Sequence, residues 1–184
     1  MEKFKVRPIE TERFNLRAVT VEDAKDMFVY ASDAETVQYT TFLPHKDLDE
    51  TIDTIKRFFI NKTQEGKPES FAIVDKKTDR MIGTCDFWPL EGEGVWEFGY
   101  IINKEYWGQG VMTEVAKAVL DYAFENFDVE IMKLKHVVDN VGSGKVALKL
   151  GFKQLGVVKD GAQAGLGVVD AMTYEMRKED HKND

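Results

Sequence analysis

Apolar and polar residues alternate between Glu12 and Val19, with Phe14, Leu16 and Ala18 on one side and Arg13, Asn15 and Arg17 on the other. That is the period of a half-buried strand. Thr20 then opens TVED, a capping-box-like start with a shorter acid at its fourth position, and a helix to about Ala31 follows. Residues 34–46 read as a second short helix and a loop stopped by Pro44. From Asp47 to Lys62 the rhythm lengthens. Leu48, Ile52, Ile55 and Phe59 fall at steps of 4, 3 and 4, which predicts an amphipathic helix.

Beyond the turn at 65–68 the pattern returns to strands, over 70–75, 81–90 and 95–103, separated by polar or glycine-rich turns at 76–79 and 91–94. These three read as an antiparallel meander. A helix follows over 110–126, with Val111, Val115, Ala118, Val119 and Tyr122 on one face. Then come a strand over 131–138, a helix over 141–150 stopped by Gly151, and two strands over 152–159 and 168–176. The order β-α-α-α-β-β-β-α-β-α-β-β around a central meander implies an α+β or mixed α/β layer fold, not a doubly wound one.

The chain has 184 residues, 43% apolar and 32% charged, a globular composition. One domain is expected, with its core at about 8–178 and the C-terminal RKEDHKND as a solvated tail. The start, MEKFKVRPIE, has no apolar h-region, and no run approaches a membrane span. With a lone cysteine, Cys85, the chain fits a reducing cytoplasm. Three His and one Cys are too few for a Cys/His zinc site, and no metal is expected. The 25 basic and 33 acidic side chains give a net charge of −8. That argues against a nucleic-acid partner, which needs a basic face, and allows attraction to cationic ones.

The segment Trp96–Thr113, WEFGYIINKEYWGQGVMT, carries the clearest chemistry. A strand ends, a loop with Gly108 and Gly110 follows, and a helix begins, so bare amides face outward at the positive end of a helix dipole. Such a terminus receives phosphate or pyrophosphate, although a plain loop would use the same glycines. No Gly-Lys-Ser/Thr follows, and Thr113 stands where a dinucleotide fingerprint would place its third glycine. The second segment, NVGSGKVALKLGF (140–152), starts a helix with Asn140 and Ser143, which are at least helix caps.

Together these segments resemble the GCN5-related N-acetyltransferase (GNAT) superfamily. Its acetyl-CoA loop reads Gln/Arg-x-x-Gly-x-Gly/Ala, a place held here by Trp107-Gly108-Gln109-Gly110-Val111-Met112. The run 105–114, Trp96-Glu97-Phe98-Gly99-Tyr100, Arg13-Phe14-x-Leu16-Arg17, Asp170 and the 140–152 motif are similar to the branch that contains ribosomal-protein alanine N-acetyltransferases. The resemblance implies a GNAT-like fold, with a central, mostly antiparallel mixed sheet of about seven strands and helices on both faces. It implies acetyl-CoA as co-substrate. Trp107 and Met112 replace the superfamily's basic or amide residue and its small one, which removes a side-chain contact to phosphate. Ala147 stands where many relatives carry a general-acid tyrosine.

By the same resemblance, amides of Gly108 to Thr113 would hold the pyrophosphate, and Tyr100, Ile101 and Ile102 would line the pantetheine arm and the oxyanion. Asn140 would bond the pantetheine. An α-amine has a pKa of about 8 and a lysine amine about 10.4, so a base helps. Glu97 is the candidate base, or else a carboxylate paired with a basic neighbour. Ser143 would hydrogen-bond the leaving thiolate, or only cap its helix. Phe42, Asp86, Phe87, Trp88 and a loop over 160–167 are candidate acceptor walls, although residues such as Phe87 and Trp88 are more often core or dimer surface than specific readers. His45 reads as a surface residue and Cys85 as a buried one. The favoured acceptor is a protein or peptide N-terminal α-amine, and the alternatives are a small amine (polyamine, amino sugar or antibiotic) or a non-catalytic acyl-CoA sensor. The exposed strand ends and aromatics are compatible with a homodimer.

Overall fold

The computed structural model describes residues 4–165 and 167–181. Eight strands form one sheet: β1 (Ile9–Glu10), β2 (Phe14–Ala18), β3 (Phe71–Asp75), β4 (Arg80–Pro89), β5 (Val95–Ile102), β6 (Ile131–Val137), β7 (Lys153–Ala164) and β8 (Gly167–Arg177). Their spatial order is β1-β2-β3-β4-β5-β6-β8-β7, and among the described residues β5–β6 is the one parallel pair. The helices are α1 (Ala24–Ala31), α2 (Ala34–Val37), α3 (Leu48–Thr54), α4 (Val111–Asn126) and α5 (Val141–Lys149). The added strand, β1, is a two-residue extension of the edge.

Two cores lie on opposite faces of the sheet. On one, Val111, Val115, Val119 and Leu120 of α4 and Ala147 of α5 pack on Leu16, Phe71, Phe87, Phe98 and Met132. On the other, Met27 and Tyr30 of α1 and Ile55 after α3 pack on Ala72, Val74 and Met81. β3 is therefore covered on both faces, which is why FAIV reads as a continuous apolar run rather than an alternation. The expected cap sits on a 3₁₀ turn, Val21–Asp23, that leads into α1. Asp23, though one methylene shorter than glutamate, reaches back to the Thr20 amide at 2.8 Å and also forks with Arg17 at 2.7 and 2.8 Å.

Three expectations change. The helix over 47–62 is α-helical only to Thr54. It continues as a π turn over Ile55–Phe59 and a 3₁₀ stretch over Ile60–Glu65. The run Thr51, Ile52, Thr54, Ile55 carries β-branched side chains that crowd a regular helix. The loop over 160–167 is mostly strand. β7 runs to Ala164, with a bulge between Val158 and Ala162 in which Asp160 takes φ +53° and its amide donates to Asp170 at 2.9 Å. The tail is docked at its start: His181 stacks on Phe124 and meets Asp121 at 2.8 Å, while residues 182–184 lie outside the described residues.

Candidate active site

The parallel pairing of β5 and β6 covers only Val95–Glu97 against Ile131–Lys133. Beyond it the strands part. β5 stays on β4 as far as Ile102, and β6 stays on β8 as far as Val137. The sheet opens as a wedge whose apex is Glu97. A strand edge inside such a wedge has backbone groups that call for a partner. Tyr100 reaches across the opening, its hydroxyl 2.7 Å from Ser143 Oγ and 3.3 Å from the Ser143 carbonyl. Burial pushes that phenol's pKa up, against the hydrogen bond to Ser143. The Asn140 side-chain oxygen accepts from the Ser143 amide at 3.2 Å, so Asn140 caps α5 and holds Ser143 at the wedge.

The loop from β5 to α4 borders the same opening. Trp107 Nε1 donates to the Ile102 carbonyl at 3.0 Å, and the Gln109 side chain donates to the Glu105 carbonyl at 2.6 Å. Gly108 and Gly110 both take φ +73°, a left-handed conformation that costs a residue with a Cβ about 1–2 kcal/mol. Gly110 is the N-cap of α4 and brings no side chain to it. The first-turn amides of Val111, Met112 and Thr113 thus have no carbonyl one turn back within the helix. The Val111 and Met112 side chains are buried, so only their backbone faces the loop. Arg13 fastens the loop to β2, donating to the Gln109 carbonyl at 3.1 Å and to Glu114 at 2.7 Å.

Glu97 points to the face that carries α1 and α3. It is 9% exposed, with Lys135 Nζ at 3.6 Å. Burial raises its pKa above the ordinary carboxylate range; Lys135 and Lys133 oppose this and Asp86 adds to it. Beside it, Trp88 pairs across the strands with Glu97, and Asp86 with Gly99. Phe42 is half-buried near His45, with ring centroids 5.3 Å apart. Two candidates move. Phe87 is fully buried and packs edge-on against Phe127 and tilted against Trp96; alternation along β4 turns it to the α4 core, so it offers no wall. His45 is buried rather than on the surface, bonded to Thr51 at 2.8 Å, and burial lowers its pKa. Cys85 is buried as expected, its thiol pushed well up by burial.

Lys62 and Ser70 were not singled out from the sequence, yet both are buried on the Glu97 face and both bond Asp86. A signal existed. The step after Leu48, Ile52, Ile55 and Phe59 lands on Lys62, a lysine on an apolar stripe. Among the described residues no group of three or more His, Cys, Asp or Glu could hold a metal ion.

The family of acetyltransferase (GNAT) domains matches residues 13–153. The chain belongs to the GNAT acetyltransferases. A relative along nearly the whole length is the uncharacterized N-acetyltransferase p20 of Bacillus licheniformis, 31% identical over 173 residues, 93% of this chain and 96% of that one. Among solved structures, ribosomal-protein-S5-alanine acetyltransferase from Vibrio fischeri superposes with a TM-score of 0.80 at 19% identity, over 97% of this chain and 100% of that one. RimL, a ribosomal L7/L12 alpha-N-protein acetyltransferase in complex with coenzyme A, superposes with 0.80 at 21% identity, over 93% and 98%. This GNAT protein is therefore an N-acetyltransferase that uses acetyl-CoA. The glycine loop and its bare first-turn amides fit a pyrophosphate, and β5 beyond Glu97 has no strand partner on its β6 side.

Proposed function

We propose that this GNAT protein transfers the acetyl group of acetyl-CoA to the N-terminal α-amine of a protein or peptide, with Glu97 as general base. The observation that carries the reading is the wedge that opens at Glu97 and puts a buried carboxylate at the start of the free β5 edge. In this reading the amides of Gly108 to Thr113 hold the pyrophosphate, while Tyr100, Ile101, Ile102 and Asn140 line the pantetheine arm. The amine nitrogen bonds to the thioester carbonyl carbon, the C–S bond breaks, and the amine's proton passes to Glu97. The sulfur leaves as the thiolate, stable near neutral pH, and accepts a hydrogen bond from the Ser143 hydroxyl, which Tyr100 backs at 2.7 Å where Ala147 supplies no tyrosine.

The choice of an α-amine over a polyamine rests on local charge. The chain carries −8 overall, but Glu97 has Lys135 and Lys133 beside it, and the neighbouring Asp86 has Lys62. A polycation gains little from such a wall. The names of the ribosomal-protein neighbours point the same way. A cytoplasmic location belongs to this reading; among the described residues no helix is long and apolar enough to cross a membrane. A homodimer is supported by exposed Leu155, Val157 and Val158 on β7, the strand at the end of the sheet.

The test is CoA-thiol release from acetyl-CoA against peptides with free and blocked N-termini, polyamines and aminoglycosides. Release with free N-termini alone is expected. Release with small amines alone overturns the acceptor, and acetyl-CoA binding with no release from any amine points to a sensor.

A further inference from the structure

Lys62 leaves the 3₁₀ stretch after α3 and enters the Glu97 face of the sheet, where it is 8% exposed. An ammonium at that depth is costly unless paired and hydrogen-bonded. It is both. Lys62 Nζ bonds Asp86 Oδ2 and donates to Ser70 Oγ at 3.0 Å, and Ser70 donates to the same Asp86 oxygen at 2.9 Å. Lys62 also sits 5.5 Å from the Trp88 ring centroid, within cation–π range. The indole in turn lies across Gly99, where a Cβ would stand 2.9 Å from its Cη2. One lysine therefore fixes a carboxylate and an aromatic ring, both side by side with Glu97.

Both bonds to Asp86 fall on Oδ2. The other oxygen, Oδ1, faces β5, 3.4 Å from where a Gly99 Cβ would be. Gly99 is two residues beyond Glu97 on the same face of the strand, and the lack of a side chain there lets the Trp88 ring lie against β5 beside Asp86 Oδ1.

We propose that Asp86 receives the acceptor's primary amine through Oδ1, with the acceptor's first residue resting on Trp88, and that Lys62 is the positioning residue that holds both. This role rests on the transfer reading above. It divides the work of two acids: Asp86 holds an N–H of the incoming amine, and Glu97 takes a proton from it. The charged groups that face Glu97 are Lys135 and Lys133 from β6 and Asp86 from β4, with Lys62 behind Asp86.

The variants Lys62→Met, Lys62→Arg and Asp86→Asn test it, in two measurements. With a peptide acceptor, Lys62→Met and Asp86→Asn raise the acceptor KM about tenfold and leave the acetyl-CoA KM unchanged, while Lys62→Arg recovers part of the loss. Without turnover, ¹³C-carboxyl resonances are followed while alaninamide, a simple α-amine, is added; Asp86 and Glu97 respond together in the wild type, and Glu97 loses affinity for the probe in Lys62→Met. An unchanged acceptor KM, or equal losses for both substrates with a lowered thermal midpoint, overturns the proposal, as does an Asp86 signal that ignores alaninamide. If alaninamide moves both carboxyls but no peptide is acetylated, the peptide reading falls and the amine-binding pair stands.

Discussion

The two sides of the wedge are built from different materials. The side facing α4 and α5 is mostly backbone, two left-handed glycines, first-turn amides and a free strand edge within Val95 to Thr113, with Tyr100, Asn140 and Ser143 adding its polar side chains. The side facing α1 and α3 is side chains: Lys62, Ser70, Asp86, Trp88 and Glu97, drawn from four separate segments. A backbone cradle suits a donor with invariant phosphates and a pantetheine arm. A side-chain wall can change residue by residue, and it lies where the acceptor would enter. In the proposed reading, the site gives its fixed geometry to the donor and its side-chain chemistry to the acceptor, so variants on the two sides should separate the two KM values.

The largest effect is expected at the apex between them. Glu97→Gln removes the proposed proton acceptor and should lower kcat/KM by about 10²–10⁴ with both KM values little changed. The pH dependence has a definite sign. Burial raises the folded-state pKa of Glu97 above its unfolded value, so the base form is present above that raised pKa, and kcat/KM falls as pH drops through it. Stability runs the other way. Folding holds the Glu97 proton more tightly than the unfolded chain does, so ionisation above the unfolded pKa costs stability, and the Gln variant should melt slightly higher at neutral pH. Retention of full rate by Glu97→Gln would remove it from catalysis.

Next comes the backbone side. Gly108→Ala with Gly110→Ala puts two Cβ atoms at φ +73° and should force the loop off its path. The acetyl-CoA KM is expected to rise about tenfold while the acceptor KM holds. Equal increases in both would mean that the loop does not serve the donor alone. A milder test sits on the other side. Gly99→Ala pushes on the Trp88 ring, whose nearest atom would be 2.9 Å away, and it should raise the acceptor KM severalfold with the acetyl-CoA KM unmoved.

The same contrast explains what could be read without coordinates. The order of elements, the mixed layer fold and the glycine loop are local patterns, so strand alternation, the Val111–Val115–Val119 face and the positions of Gly108 and Gly110 were legible in the chain. Phe87 reads as an acceptor wall but belongs to the core, because a strand in a two-faced sheet alternates between cores and only the sheet order says which face is α4's. His45 was misplaced for a similar reason: its burial depends on Thr51 and on α1, through His45 N donating to the Ala31 carbonyl at 3.0 Å. Lys62 stood on the expected stripe. Its partners Ser70 and Asp86, however, lie 8 and 24 residues away, and no local rhythm joins them. The helix over 47–62 was right in its apolar face and wrong in its continuity, since periodicity reports a face and not the width of each turn.

The smallest expected effect concerns the latch that ties the proposed donor cradle to β2. Arg13 bonds Glu114 on α4 and the Gln109 carbonyl, and its backbone amide also donates to Glu114 at 2.9 Å. Its side chain is well exposed to solvent, so the ion pair is screened and contributes only a few tenths of a kcal/mol to folding. Its use is geometric: the Gln109 carbonyl lies between the two left-handed glycines, and holding it limits how far the loop can swing. Arg13→Met should therefore barely shift the thermal midpoint yet raise the acetyl-CoA KM two- to threefold, with the acceptor KM and kcat unchanged. High salt should reproduce much of the same increase in the wild type and little in the variant, because it screens the pair that the variant lacks. A variant that lost several degrees of stability with no change in acetyl-CoA KM would assign Arg13 to the fold instead, and the donor cradle would then be held by its glycines and the Trp107–Ile102 bond.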